Sequence, residues 1–272
     1  MTSQIKLIVL DIDGTLFNSK GLIPEANRRA VKQAKERGVR VVLATVRAFP
    51  SAVSSARQLE LDTPIICANG ALIKDLKGVE WWSRGIDLEL AREIAAWADA
   101  RGHALVTLVG DYIYHAHPAS WAGEDWEPQP FERVVDSNLD PLTAPPLRII
   151  SVGEEASRAL LDRFAPQAEK KVRFDRYERD GRLISLVAVN AAASKEEALS
   201  FLCKHWGLSP SQVMALGDNF PDLGMLRWAG VGIAMGNAPP GMREQVEWVG
   251  PPNDEAGVAW AVQRFVLDKE TS

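Results

Sequence analysis

At 272 residues, 46% hydrophobic and 25% charged, the chain is long enough for one large or two modest domains and has the balance of a globular protein with a real core. Its formal net charge of −5, with no Lys/Arg run, gives no electrostatic footprint for nucleic acid or an anionic membrane. Cys67 and Cys203 lie far apart without Cys-x-x-Cys spacing, which speaks against a disulfide framework or a zinc site. The apolar run near residue 8 is cut by Lys6 and Asp11 and is too short for a signal peptide or a membrane span. The expectation is a soluble, cytoplasmic protein.

Leu7 to Leu10 is apolar without alternation, the pattern of a strand buried on both faces of a parallel sheet. It stops at Asp11-Ile12-Asp13-Gly14-Thr15-Leu16. Residues two apart on extended chain point the same way, so Asp11 and Asp13 can face one small volume, and Gly14 allows a sharp turn close to a ligand. Crowded carboxylates are relieved by a cation or a proton. Taken alone, Asp-x-Asp-Gly favours an ordinary turn. Next come a helix from Pro24 to Gly38 with Pro in its first turn, a strand from Val39 to Ala44 ending at Thr45-Val46-Arg47, a helix from Ser51 to Leu59, and a strand from Pro64 to Ala68 ending at Asn69-Gly70. This is the βαβ rhythm of a doubly wound sheet.

The character changes near residue 80, after a hairpin-like turn at Lys74 to Gly78. A helix over Asp87 to Arg101 is followed by strands Ala104 to Val109 and Tyr112 to His115 about Gly110-Asp111. Pro118 to Pro146 shows few periodic signals. Leu147 to Val152 reads as a strand, Glu155 to Phe164 as a helix, and Val172 to Val189 as a hairpin about Asp180-Gly181. Tight turns between strands predict an antiparallel sheet. Residues 81–189 are thus expected to form an α+β module inserted into a discontinuous core, residues 1–80 and 190–272.

The core resumes at Ser194-Lys195-Glu196-Glu197, a capping box opening a helix to Trp206. A strand from Val213 to Leu216 ends at Gly217-Asp218-Asn219-Phe220-Pro221-Asp222, followed by a helix over Leu223 to Ala229, a strand over Val231 to Met235, and a terminal helix over Asp254 to Leu267.

Asp11, Asp13, Thr45, Asn69, Asp218 and Asp222 all fall at the C-terminal edge of this sheet, where ligands bind in open α/β folds. Lys195 opens a helix, where a cation opposes the macrodipole at a cost of about 0.3–1 kcal/mol unless anions face it. The four aspartates and a bound anion would do so. Gly230, Gly232 and Gly236 miss the dinucleotide spacing. His115 and His117 share a strand face without a third ligand nearby in sequence, and most of the nine tryptophans read as core.

Asp11-Ile12-Asp13-Gly14-Thr15-Leu16, Ala44-Thr45, Ser194-Lys195 and Gly217-Asp218 with Asp222 resemble the four ordered motifs of the haloacid dehalogenase (HAD) superfamily. Ala68-Asn69-Gly70-Ala71, Ala234-Met235-Gly236-Asn237-Ala238 and Asn253-Asp254-Glu255-Ala256-Gly257-Val258-Ala259 resemble its Cof-type branch, which carries a large α+β cap between the second and third motifs. The resemblance covers the core; the inserted module matches only in size and position.

The resemblance implies a Mg2+-dependent phosphohydrolase acting on a small phosphorylated metabolite, a sugar phosphate or similar, through an aspartyl-phosphate. In that mapping Asp11 is the nucleophile and Asp13 the acid and base. Thr45, Asn69 and Lys195 bind substrate. Mg2+ takes the Asp11 carboxylate, the Asp13 carbonyl and the Asp218 carboxylate, with Asp222 in support. Val46 stands where the family usually has Gly, and Pro221 where it usually has Asn, so a side-chain amide is missing there. A phosphomutase or phosphotransferase of the same superfamily, or a receiver-like phosphate-binding switch without catalysis, shares part of the pattern. The inserted module is expected to close over the site and choose the substrate, with Trp121, Glu124, Asp125 and Trp126 as candidate contacts.

Overall fold

Leu7–Leu10 (β1) is four apolar residues buried on both faces. It begins the computed structural model of the protein, which describes residues 4–116, 126–168, 170–179 and 181–268. After it come α1 (Glu25–Glu36), β2 (Arg40–Leu43), α2 (Phe49–Gln58), β3 (Ile65–Cys67), β4 (Leu72–Lys74) and β5 (Glu80–Ser83). The middle of the chain holds α3 (Leu88–Asp99), β6 (Leu105–Val109), β7 (Tyr112–Ala116), β8 (Glu132–Val135), β9 (Arg148–Val152), α4 (Glu154–Ala168), β10 (Val172–Arg179) and β11 (Arg182–Asn190). Then follow α5 (Lys195–Trp206), β12 (Val213–Gly217), α6 (Leu223–Trp228), β13 (Val231–Ala234), α7 (Pro240–Arg243), β14 (Trp248–Val249) and α8 (Gly257–Val262).

The chain packs as two units. One comprises Met1–Arg47, Ser51–Trp81 and Ser194–Ser272, the other Ala48–Pro50 and Trp82–Ala193. In the first, a parallel sheet runs β14-β13-β12-β1-β2. Leu7 pairs with Val213 on one side and Arg40 on the other, and Leu10 pairs with Leu216. That register lays the ends of β1 and β12 side by side, although about two hundred residues separate them in the chain. A parallel bridge from Ala44 to Ile66 brings the end of β3 beside the end of β2. The strands are buried because helical crossovers cover a parallel sheet. The fold is α/β, doubly wound, with an inserted α+β unit.

The inserted unit is a six-stranded sheet ordered β10-β11-β9-β6-β7-β8. Ile94 and Ala98 of α3 and Leu160 and Phe164 of α4 pack with Leu105, Ile149 and Leu186 into its core. The hairpins β6–β7 and β10–β11 are antiparallel, as their turns require. β8 departs from expectation: it lies in the stretch without periodicity and pairs parallel to β7. Its burial pattern, half-buried at its ends and exposed between, explains the missing alternation.

Element boundaries differ in places, and one strand went undetected. Pro24 caps α1 rather than lying inside it. The last helix begins at Gly257, not Asp254, because Ala256 sits in the left-handed region at φ +53° and separates it from a short turn over Asn253–Glu255. The two-residue β14 is too short to leave a pattern in sequence. Among the described residues, no helix is long and apolar enough to cross a membrane.

Candidate active site

Past β1 the backbone N–H of Asp11 still donates to the Leu216 carbonyl, at 3.1 Å, so the first acid is anchored to the neighbouring strand. The chain then turns through Gly14 at φ +81°. A Cβ on Gly14 would lie 2.2 Å from Asp218 Oδ2, so the turn needs glycine for its backbone and for the approach of that carboxylate. Thr15 Oγ1 donates to Asp218 Oδ1 at 3.2 Å. From outside, Asn237 Nδ2 donates to the Gly14 carbonyl at 2.9 Å, and Asn253 Nδ2 to the Phe17 carbonyl at 2.8 Å. The Asn253 N–H donates to Asn237 Oδ1 at 2.9 Å. The two asparagines form a clamp on the acid-bearing loop.

Lys195 is the first residue of α5, capped by Ser194, whose Oγ accepts the Glu197 N–H at 3.0 Å. Its Nζ donates to Asp11 Oδ1 at 2.7 Å and to Asp222 Oδ1 at 2.5 Å, with all three groups buried. The anions that offset a lysine at a helix start are therefore two of the four expected aspartates. Asp222 Oδ2 accepts the N–H groups of Asp218 and Asn219, at 3.1 and 3.0 Å, which fixes both ends of that carboxylate.

Burial opposes the Lys195 charge, yet the Asp11 and Asp222 carboxylates more than offset it and raise its pKa above the ordinary range. Burial raises Asp11 well above the ordinary carboxylate value, against the pull of Lys195. Burial first, and then the Asp222 charge, push Asp218 up to about 6.

Asp13 lies elsewhere. Its side chain is 53% exposed and pairs with Arg47, whose Nε donates to Oδ2 at 2.7 Å and whose second guanidinium nitrogen donates to Oδ1 at 2.5 Å. The alternation that would aim Asp11 and Asp13 at one volume assumes a continuing strand; the chain leaves extended conformation in the loop that follows Asp11. Thr45 is fully buried, and its Oγ1 accepts the Arg47 N–H at 3.1 Å, leaving the hydroxyl proton for an anion. Asn69 is buried on an arch after β3, with its N–H on the Thr45 carbonyl at 3.3 Å.

Carboxylate oxygens of Asp11, Asp218 and Asp222 lie within 4.8 Å of one another. Because Asp222 is committed to Lys195 and two backbone N–H groups, Asp11 and Asp218 are left as the crowded pair. An all-oxygen donor set whose proton affinity is raised first by burial and then by neighbouring carboxylates fits a hard divalent cation.

Arg47 and Thr15 were not singled out by sequence reasoning. The signal for Arg47 was its place just after Thr45 at a strand end; Thr15 lay inside the Asp-rich stretch. Trp121, Glu124, Asp125 and His117 lie outside the described residues. Trp126 sets its ring edge-on to His115 at 5.0 Å, and His115 Nε2 stands 3.3 Å from Glu132.

Acids and a buried lysine at the C-terminal edge of a parallel sheet, in a chain interrupted by an α+β unit, define an enzyme of the HAD phosphatase class. Residues 8–262 match the haloacid dehalogenase-like hydrolase family, and the chain belongs to it, in the Cof-type branch. The chain is 31% identical to the phosphatase YwpJ of Bacillus subtilis over 96% of its own length and 100% of that protein's. It is 27% identical to 5-amino-6-(5-phospho-D-ribitylamino)uracil phosphatase YcsE of the same organism, over 97% of each chain. A haloacid dehalogenase-like hydrolase from Bacteroides thetaiotaomicron superposes with a TM-score of 0.83 at 28% identity, covering 96% of this chain and 99% of that one.

Proposed function

We propose that the protein is a Mg2+-dependent phosphohydrolase acting on a small phosphorylated metabolite, a sugar phosphate or a similar polyol ester, through an aspartyl-phosphate. The observation that carries this reading is Lys195, buried between Asp11 and Asp222 beside the crowded Asp218. Structural ion pairs seldom bury a lysine with a surplus of carboxylates, because the remaining negative charge is costly without a counter-ion. A site that binds a cation and then a phosphoryl group needs that surplus. The phosphoribityl group in the name of the relative YcsE supports a polyol ester as substrate.

The Asp11 carboxylate attacks phosphorus, the bond to the leaving oxygen breaks, and Asp13 gives that oxygen a proton. Asp13 then takes a proton from a water that attacks phosphorus, the aspartyl bond to phosphorus breaks, and inorganic phosphate and free Asp11 result. For this Asp13 turns from Arg47 toward the leaving oxygen. Lys195 and the Thr45 hydroxyl meet the phosphoryl oxygens, where charge is spread during transfer. The Asp11 and Asp218 carboxylates and the Asp13 carbonyl would hold Mg2+, which would supply positive charge to offset that of the phosphoryl group.

The test is a panel of phosphorylated sugars, polyols, nucleotides and cofactors, plus phenyl phosphate, assayed for phosphate release with Mg2+ and with EDTA. Release from polyol esters that EDTA abolishes is expected. Turnover undiminished by EDTA would contradict the metal assignment, and no release from any ester would contradict the reaction.

A further inference from the structure

Asn69 is only 2% exposed, and neither its Oδ1 nor its Nδ2 meets a hydrogen-bond partner among the described residues. Folds rarely leave a buried carboxamide unpaired at both ends, since each unmet group carries its full desolvation cost. The backbone around it is equally unusual. Ala68, Asn69 and Gly70 hold φ of +50°, +59° and +89° in succession, and only glycine adopts such values freely. Strain of this kind persists where the surroundings over-determine it.

The surroundings are the site itself. The Ala68 N–H donates to the Arg47 carbonyl at 2.9 Å, and the Asn69 N–H to that of Thr45 at 3.3 Å. Gly70 presses on the start of α5, where a Cβ would stand 2.1 Å from the Ser194 carbonyl carbon and 2.6 Å from the Lys195 nitrogen. Asn69 is therefore fixed between the segment carrying Thr45 and Arg47 and the helix start carrying Lys195. Asn69 is as buried as Thr45 and Lys195, the two groups proposed to meet the phosphoryl oxygens.

A carboxamide both donates and accepts. A phosphoryl dianion only accepts: it can bond Nδ2 and leaves Oδ1 unmet. A hydroxyl group both donates and accepts, and satisfies the amide from either side. We propose that Asn69 reads a hydroxyl of the substrate, so that the first unit, and not only the inserted one, selects phosphate esters of polyols over esters that lack hydroxyls. This rests on the phosphohydrolase reading above.

The test compares the best polyol phosphate of the panel with phenyl phosphate, measuring kcat and KM for wild type, Asn69→Gly and Asn69→Asp in Mg2+. Glycine suits the left-handed backbone and removes both amide groups. The ratio of kcat/KM between the two esters is expected to fall about tenfold in Asn69→Gly, the scale of one hydrogen bond lost. Asn69→Asp keeps the acceptor, tolerates the same backbone, and should retain more of the ratio while both rates fall through added negative charge. An unchanged ratio in both variants, with the wild type active, would overturn this proposal alone. A wild type that hydrolyses neither ester would overturn the phosphohydrolase reading and this proposal with it.

Discussion

Lys195 pairs with two buried carboxylates, reaching from α5 to Asp11 past the end of β1 and to Asp222 at the start of α6, so its removal has consequences beyond catalysis. Methionine fills much the same volume without a charge, leaving Asp11 and Asp222 buried without their cation. Breaking a buried pair by deleting one partner costs about 3–5 kcal/mol. Lys195→Met is therefore expected to lose measurable turnover and to unfold at markedly lower urea concentration; unchanged unfolding would show that the carboxylates do not depend on it. At this scale much of the site was legible. Asp11, Thr45, Asn69, Lys195, Asp218 and Asp222 each end a strand or start a helix, and such positions follow from pattern alone. Asp13's pairing with Arg47 was not legible, because it depends on how the loop after β1 turns. The left-handed arch at Ala68 was equally hidden, since nothing about an alanine announces a positive φ.

At the scale of elements, the register of β1 between β12 and β2 assembles the site, and apolar runs identify the strands without giving their order. β8 escaped detection because its side chains do not alternate, and the true start of α8 because Ala256 adopts a conformation that sequence does not advertise. The β7–β8 pair also carries a titrating group. Burial lowers the His115 pKa, against the opposing pull of the Glu132 carboxylate at 3.3 Å, from an ordinary value of 6.5. In the unfolded chain His115 takes up its proton near that value, and in the folded protein only at lower pH. The unfolded state thus binds more protons in between, and stability falls as pH drops below about 6.5 until the folded group is protonated too. Between pH 7.5 and 5.5 the melting temperature of His115→Gln should fall less than that of wild type. Parallel declines would remove His115 from the acid response.

Across the whole molecule, the metal and phosphoryl groups proposed for the chemistry all belong to the first unit, while the inserted unit contributes none of them. We propose that the inserted unit grades one polyol phosphate against another, and that Asn69 supplies the coarser choice of a hydroxylated ester. Replacing residues 82–193 by a short linker should then leave slow hydrolysis and the preference for hydroxylated esters, and erase the ranking among polyol phosphates. A folded truncated protein that ranks them as the full chain does would contradict this division. The insertion itself was legible in the change from crossover connections to tight turns near residue 80. The pairing of β8 was not, because it lies in the stretch with the fewest sequence signals.

The claim on which the rest depends is that Asp11 carries the phosphoryl group. Its most direct test is a rapid acid quench of the enzyme turning over a substrate labelled with radioactive phosphorus, followed by proteolysis and mapping of the label. A label stable to acid and released by hydroxylamine is expected on the peptide containing Asp11, and none on Asp11→Asn. Burst-free turnover with no protein-bound label at any quench time, or a label that persists in folded Asp11→Asn, would contradict it.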